Sequence, residues 1–183
     1  MPFSSPMMKQ YMSIKKKNED ALLFFRMGDF YEMFYDDARI AAKVLGITLT
    51  SRSKGEKAVP MAGIPHHAAG AYIPKLIKAG YKVAVCEQLL NGIEKEDSKA
   101  GGKGIVERDV VRVITPGTLT EDEMLEDKDN NYLLSLFLND NRIGLSWVDI
   151  STGRFMVQDI NKSCLLDELS RINPSECVLP ENF

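Results

Sequence analysis

Cysteine is scarce in this chain of 183 residues, and the three that occur, Cys86, Cys164 and Cys177, lie far apart. No C-x-x-C unit exists, which argues against a disulfide framework or a cysteine-based zinc site and for reduced thiols. Histidine is scarcer still. His66 and His67 are the whole supply, and neighbours in sequence point in different directions on a helix and to opposite faces of a strand; no metal centre is expected. No apolar run approaches the roughly 20 residues that a membrane-spanning helix needs. The opening stretch, MPFSSPMMKQYMSIKKKNED, has neither an apolar secretory core nor a small-residue cleavage site, so a cytoplasmic protein without membrane contact is expected. A G-x-x-x-x-G-K-[ST] phosphate loop is missing too. The nearest approach, GGKG at 101–104, has no strand–loop–helix setting.

What is present is ordinary globular composition with an uneven charge. Residues 1–116 carry 18 Lys+Arg against 13 Asp+Glu, a balance of +5, and residues 117–183 carry 5 against 13, a balance of −8; the sum is the net −3. Such asymmetry suggests two units with different partners, the basic one facing a polyanion. Chance plus one solvated acidic linker is the plain alternative.

Ser5-Pro6 reads as an N-cap with proline at the first helical position. Met7, Tyr11 and Ile14 follow at helical spacing, and Lys15, Lys16 and Lys17 close the helix where positive charge suits its dipole. ALLFFRM (21–27) reads as a buried strand. Asp29 is expected to cap a helix running from Phe30 to about Leu45 and stopping at Gly46. Strands are expected at ITLT (47–50) and YKVAVCEQ (81–88), separated by a loop, AVPMAGIPHHAAG, and by a helix from Pro74 to Gly80. Residues 91–104 read as a surface loop, and IVERDVVRVITPG (105–117) as a strand ending in a Pro-Gly turn. Alternating strands and helices make the first unit α/β. After an acidic linker at 117–130, YLLSLFL, RIGLSWVDI and RFMVQDI form three strands, followed by a helix near 164–172 and a strand at ECVLP. This resembles the start of a ribonuclease-H-like sheet, and its poorly closed edge suggests a piece of a longer protein.

RMGDFYEMFYDDA (26–38) holds the residues of most interest. Phe30 can be the first core residue of the expected helix, on a stripe with Phe34, Ala38, Ala41 and Leu45. Glu32 stands three places after Asp29, the spacing of a capping box. What this leaves unexplained is a large aromatic at the open end of a helix, beside a glycine.

FFRMGDFYEMFYDDA, PMAGIPHHA, VAVCEQ and VERDVVRVITPGT, in this order, resemble the N-terminal mismatch-recognition domain of the bacterial MutS family of mismatch-repair proteins. The acidic linker and VDISTGRF resemble the start of that family's connector domain. The resemblance implies a mixed-sheet α/β (α+β) domain over 1–116 and a partial ribonuclease-H-like connector over 131–183. It also implies that Phe30-Tyr31-Glu32 is the family's Phe-x-Glu reader, in which Phe30 stacks on a mispaired base from the minor-groove side and Glu32 hydrogen-bonds to it. Arg52 is the best candidate for a phosphate contact, with Met27 and Met61 packing near the wedge, whereas Arg26 reads better as a structural ion-pair partner. The implied partners are mismatched duplex DNA, a second copy of the full-length protein, and a MutL-type protein docking on the connector. ATP and magnesium belong to a C-terminal ATPase that this stretch does not include, so no cofactor and no catalysis are expected here. Two rivals stand beside this reading: a divalent-metal nuclease built on Asp149, and a protein-binding module with Phe30 as its anchor.

Overall fold

The computed structural model describes residues 5–52, 58–89, 106–119 and 130–181. The expected loop at 91–104 and most of the acidic linker lie outside them. The chain divides into two compact units, residues 1–114 and 115–183.

The first unit is a six-stranded sheet in the order β3-β4-β2-β1-β5-β6, where β1 is Ala21–Met27, β2 Phe30–Phe34, β3 Thr50–Ser51, β4 Pro60–Pro65, β5 Lys82–Gln88 and β6 Arg108–Ile114. β1 pairs parallel with β5, and the other pairings are antiparallel. Three helices accompany it: α1 (Pro6–Lys17), α2 (Tyr35–Leu45) and α3 (Ala69–Lys78). As expected, Ser5 caps α1 by accepting from the Met8 amide, and three lysines fill its last turn. Gly46 ends α2 in the left-handed region, at φ 67°.

Alternation along the strands sorts the side chains onto two faces. Tyr11 of α1 meets Phe25 and Phe34 edge-on, at centroid distances of 5.4 and 4.9 Å, within a cluster that takes in Met8, Ile14, Leu23, Ala84 and Cys86. The opposite side of β2, β4 and β5 carries Tyr31, Met33, Ala62, Ile64 and Val83, all buried, as are Ala38 and Ala41 of α2 and Ile73, Leu76 and Ile77 of α3.

Five expectations are corrected. Residues 30–34 are a strand and not the first turn and a half of a helix, because the chain turns back at Gly28-Asp29 and pairs with β1. The helix starts only at Tyr35, a non-glycine residue at φ 54°. The capping box of Asp29 and Glu32 therefore does not form. The expected loop at 58–70 contains β4, with Pro60 and Pro65 at its two ends, where a missing amide proton does least harm. α3 begins at Ala69, five residues before Pro74, which lies inside it. Of ITLT only Thr50 is in a strand, paired opposite Met61.

The second unit is the expected meander, β7 (Tyr132–Asn139), β8 (Arg142–Asp149) and β9 (Arg154–Asn161), with α4 (Leu165–Ile172) and a short β10 (Glu176–Val178) parallel to β7. Leu134, Leu136, Ile143, Leu145, Trp147, Ile160 and Ile172 form its core, and the sheet's other face leaves Phe137, Phe155 and Val157 exposed. Both units are mixed α/β structures, as the sequence leads one to expect.

Candidate functional site

Gly28 and Asp29 form the two-residue turn of the β1–β2 hairpin. Gly28 sits at φ 58°, a conformation that hairpin turns demand and that side chains oppose. The turn carbonyl of Asp29 accepts from the His66 backbone amide at 2.9 Å, and the His66 ring nitrogen Nδ1 lies 3.1 Å from the same oxygen. β2 is thus held on one side by β1 and on the other by β4, with its turn latched to the residue that follows β4.

Phe30 stands at the lip of this turn with 48% of its surface exposed, which removes the reading of it as a sealed core residue. Met27 is directly opposite it on β1 and Pro65 on β4. Two residues along β2, on the same face, comes Glu32, opposite Phe25 and Gly63. One further step brings Phe34, opposite Met61 and already under α1. Phe30, Glu32, Met27 and Met61 therefore share one face, and α1 packs at its inner end. Met27 and Met61 are half-buried at the margin of the α1 cluster.

Arg52 follows β3 directly. Its Nη1 donates to Glu32 Oε2 at 3.1 Å, and its guanidinium lies over the Phe34 ring, 5.6 Å from the centroid. Arg26 points elsewhere. It pairs with Glu87 at 3.5 Å and lies over Tyr31, whose hydroxyl donates to the same Glu87. Burial, followed by that carboxylate, pushes the Tyr31 hydroxyl up to about 12. This is the structural ion-pair role expected of Arg26, on the face opposite Phe30.

Arg108, first residue of β6, is a residue that sequence reasoning missed. It is 9% exposed, covers Phe25 at 5.0 Å, and donates to the Arg26 carbonyl at 2.7 Å, the Val106 carbonyl at 2.9 Å and Gln10 Oε1 at 3.2 Å. The signal was the two-residue period of the strand, which puts Arg108 on the side of Val110, inward. Burial raises the Glu32 carboxyl above its usual range, while the positive charges of Arg52 and then Arg108 pull it part of the way back. The face thus offers an accessible ring, a half-buried carboxyl, and an arginine at the rim.

The described residues of the second unit bring no comparable set of side chains together. Asp149, the candidate nuclease carboxylate, is buried, and its Oδ1 accepts from the Ser151 amide at 3.0 Å, the Ser151 hydroxyl at 2.6 Å and the Thr152 amide at 3.3 Å. It closes the β8–β9 turn. Glu176 accepts from the Gly117 amide at 2.9 Å and from the Thr115 hydroxyl. Among the described residues no group of three or more His, Cys, Asp or Glu side chains is placed to hold a metal ion, and no helix is long and apolar enough to cross a membrane.

Two family models match the chain in succession. The family model of MutS domain I matches residues 5–123, and that of MutS domain II matches residues 131–183. The chain is 53% identical over 178 residues to the DNA mismatch repair protein MutS of Pelotomaculum thermopropionicum, covering 95% of this chain and 20% of that protein. It is 54% identical over 180 residues to the protein of the same name from Halothermothrix orenii, covering 96% and 19%, and 50% identical over 182 residues to that of Clostridium botulinum strain 657, covering 98% and 19%. It spans about a fifth of the length of these relatives. With both of its units matched by the family's first two domain models, the chain belongs to the MutS family.

Proposed function

We propose that this chain is the DNA-reading end of a mismatch-repair protein, and that it detects a mispair by inserting Phe30 into the duplex. The observation that carries the reading is a half-exposed phenylalanine at the lip of a latched hairpin, sharing its face with Glu32. Separating stacked bases costs on the order of a few kcal/mol per step, and less where pairing is already faulty. A saving of about 1.4 kcal/mol at a mispair gives tenfold preference. Aromatic stacking accepts any base, at roughly 1–3 kcal/mol, which suits a sensor of many different errors.

Glu32 adds discrimination by repulsion. A carboxylate facing phosphates penalises every encounter in which it finds no hydrogen-bond partner on a base. Arg52, at the rim, neutralises it in the free protein and contacts a phosphate in the complex, while Met27 and Met61 support the ring. Binding and deformation, not bond cleavage, are the activity of this stretch. ATP hydrolysis, assembly into a homodimer and recruitment of a MutL-type partner through the second unit belong to the longer protein of which we take this chain to be the N-terminal piece.

The test titrates wild type and Phe30→Ala with matched and single-mismatch duplexes, followed by NMR so that millimolar binding is still read. Phe30→Ala is expected to keep the wild-type spectrum and thermal midpoint and to lose most of the preference for the mispair. Retained preference, or a chain that unfolds, removes the reading.

A further inference from the structure

Gly63 lies in the interior of β4, where glycine weakens a strand and needs a reason. The backbone supplies none, since Gly63 is absent from the glycines at positive φ. Crowding supplies none either. A Cβ built there would meet the Tyr31 carbonyl oxygen at 3.4 Å and Glu32 Cγ and Phe30 Cδ1 at 3.9 Å, all ordinary contact distances. The residue is exposed and sits opposite Glu32 in the register, two pairs along from Phe30 and on the same face. A gap one residue long, between Met61 and Pro65 on the same face, therefore bares the main chain of β4 beside the two side chains that the proposed function relies on.

We infer that Gly63 is a specificity-determining contact: its missing side chain lets the sugar–phosphate edge of a duplex settle against β4, close enough for the Phe30 ring to reach a base. This rests on the DNA-reading function proposed above. A methyl group stands roughly 1.5 Å off the main chain. A radial gap of about 0.5–1 Å already forfeits a quarter to a half of a van der Waals contact. A side chain at position 63 would hold the duplex off by more than that and leave the ring short of its target. The competing account is structural: a cross-strand aromatic can shield a strand glycine, and Gly63 would then exist to seat Phe30.

The two accounts separate in one experiment. Gly63→Ala, Gly63→Val and Phe30→Ala are compared with wild type in thermal unfolding and in NMR titration with matched and single-mismatch duplexes. Gly63→Ala and Gly63→Val are expected to unfold at or above the wild-type midpoint. Gly63→Val is expected to bind the mismatched duplex about tenfold more weakly, equivalent to about 1.4 kcal/mol, with Gly63→Ala between it and wild type. Early unfolding of Gly63→Ala would favour the seating account and overturn the inference. If both Gly63 variants bind as wild type does while Phe30→Ala loses its preference, the inference fails and the reading of Phe30 stands. If Phe30→Ala keeps the preference, or wild type shows none, the reading fails and takes the inference with it.

Discussion

Glu32 is an unusual side chain for a face proposed to meet a polyanion, and its environment makes it sensitive to pH. Burial raises its carboxyl above the usual range, and Arg52 and Arg108 offset only part of the rise. In the unfolded chain a glutamate titrates near 4.3. Between that value and the raised one the folded state binds more protons than the unfolded state, so Glu32's contribution to stability is fully present below the window and falls as pH rises through it. Glu32→Gln is neutral throughout and lacks this loss. The urea midpoint of the variant is therefore expected to gain on wild type as pH rises from below the glutamate range toward neutrality, and then to hold a constant lead. A constant difference across the whole range would mean that the carboxyl titrates as it does in the unfolded chain. None of this was legible from spacing alone, since Glu32 at three places from Asp29 fits a capping box as well as a strand position, and only the β1–β2 register decides between them.

The same ambiguity explains the misplaced helix. Residues four apart share a face in both a helix and a strand, so Phe30 and Phe34 fit either period. The decisive event is a backbone turn at Tyr35, at φ 54°, which a sequence hardly announces for a bulky residue. β4 was obscured by its own composition, since two prolines and a glycine read as loop until one sees the prolines at the strand ends. The helices with caps and the strands with continuous apolar runs were readable because local chemistry and packing agree there. One element junction has a clear energetic signature. Asp37, in the first turn of α2, accepts from the Leu23 amide at 3.0 Å and the Tyr11 hydroxyl at 3.3 Å, and pairs with Lys15 at 3.0 Å, so a single carboxylate joins α1, β1 and α2. Burial and then this carboxylate hold the Tyr11 hydroxyl far above its usual range. Asp37→Ala removes the carboxylate from the Leu23 amide, while Tyr11 and Lys15 keep the Phe34 and Ala21 carbonyls, and is expected to cost about 3 kcal/mol, at the low end for a broken buried pair because Lys15 is partly solvated. Denaturant unfolding reads it directly. A loss under about 1 kcal/mol would place the junction's stability in apolar packing instead.

Along the whole chain, charge divides as the two units do, with the basic balance in the unit that carries Phe30 and the acidic balance in the other. Duplex affinity is expected to fall steeply with salt, since each neutralised phosphate releases counterions. Arg52→Gln is expected to weaken matched and mismatched binding alike and to lower the slope of log affinity against log salt by about one. An unchanged slope would remove Arg52 from the phosphate contacts. The family, the mixed α/β class and the meander of the second unit were signalled by motifs in the sequence, whereas β2, β4, Arg108 and Gly63 emerge only once strands distant in the chain lie side by side.

β2 is hydrogen-bonded along both edges, and its turn is tied down by the residue after β4. A ring mounted on so braced a support has little play of its own. On the proposed function, when it presses on a partner, compliance would come from the partner, and the fold would act less as a hand that adapts than as a fixed probe that registers where the other material is soft.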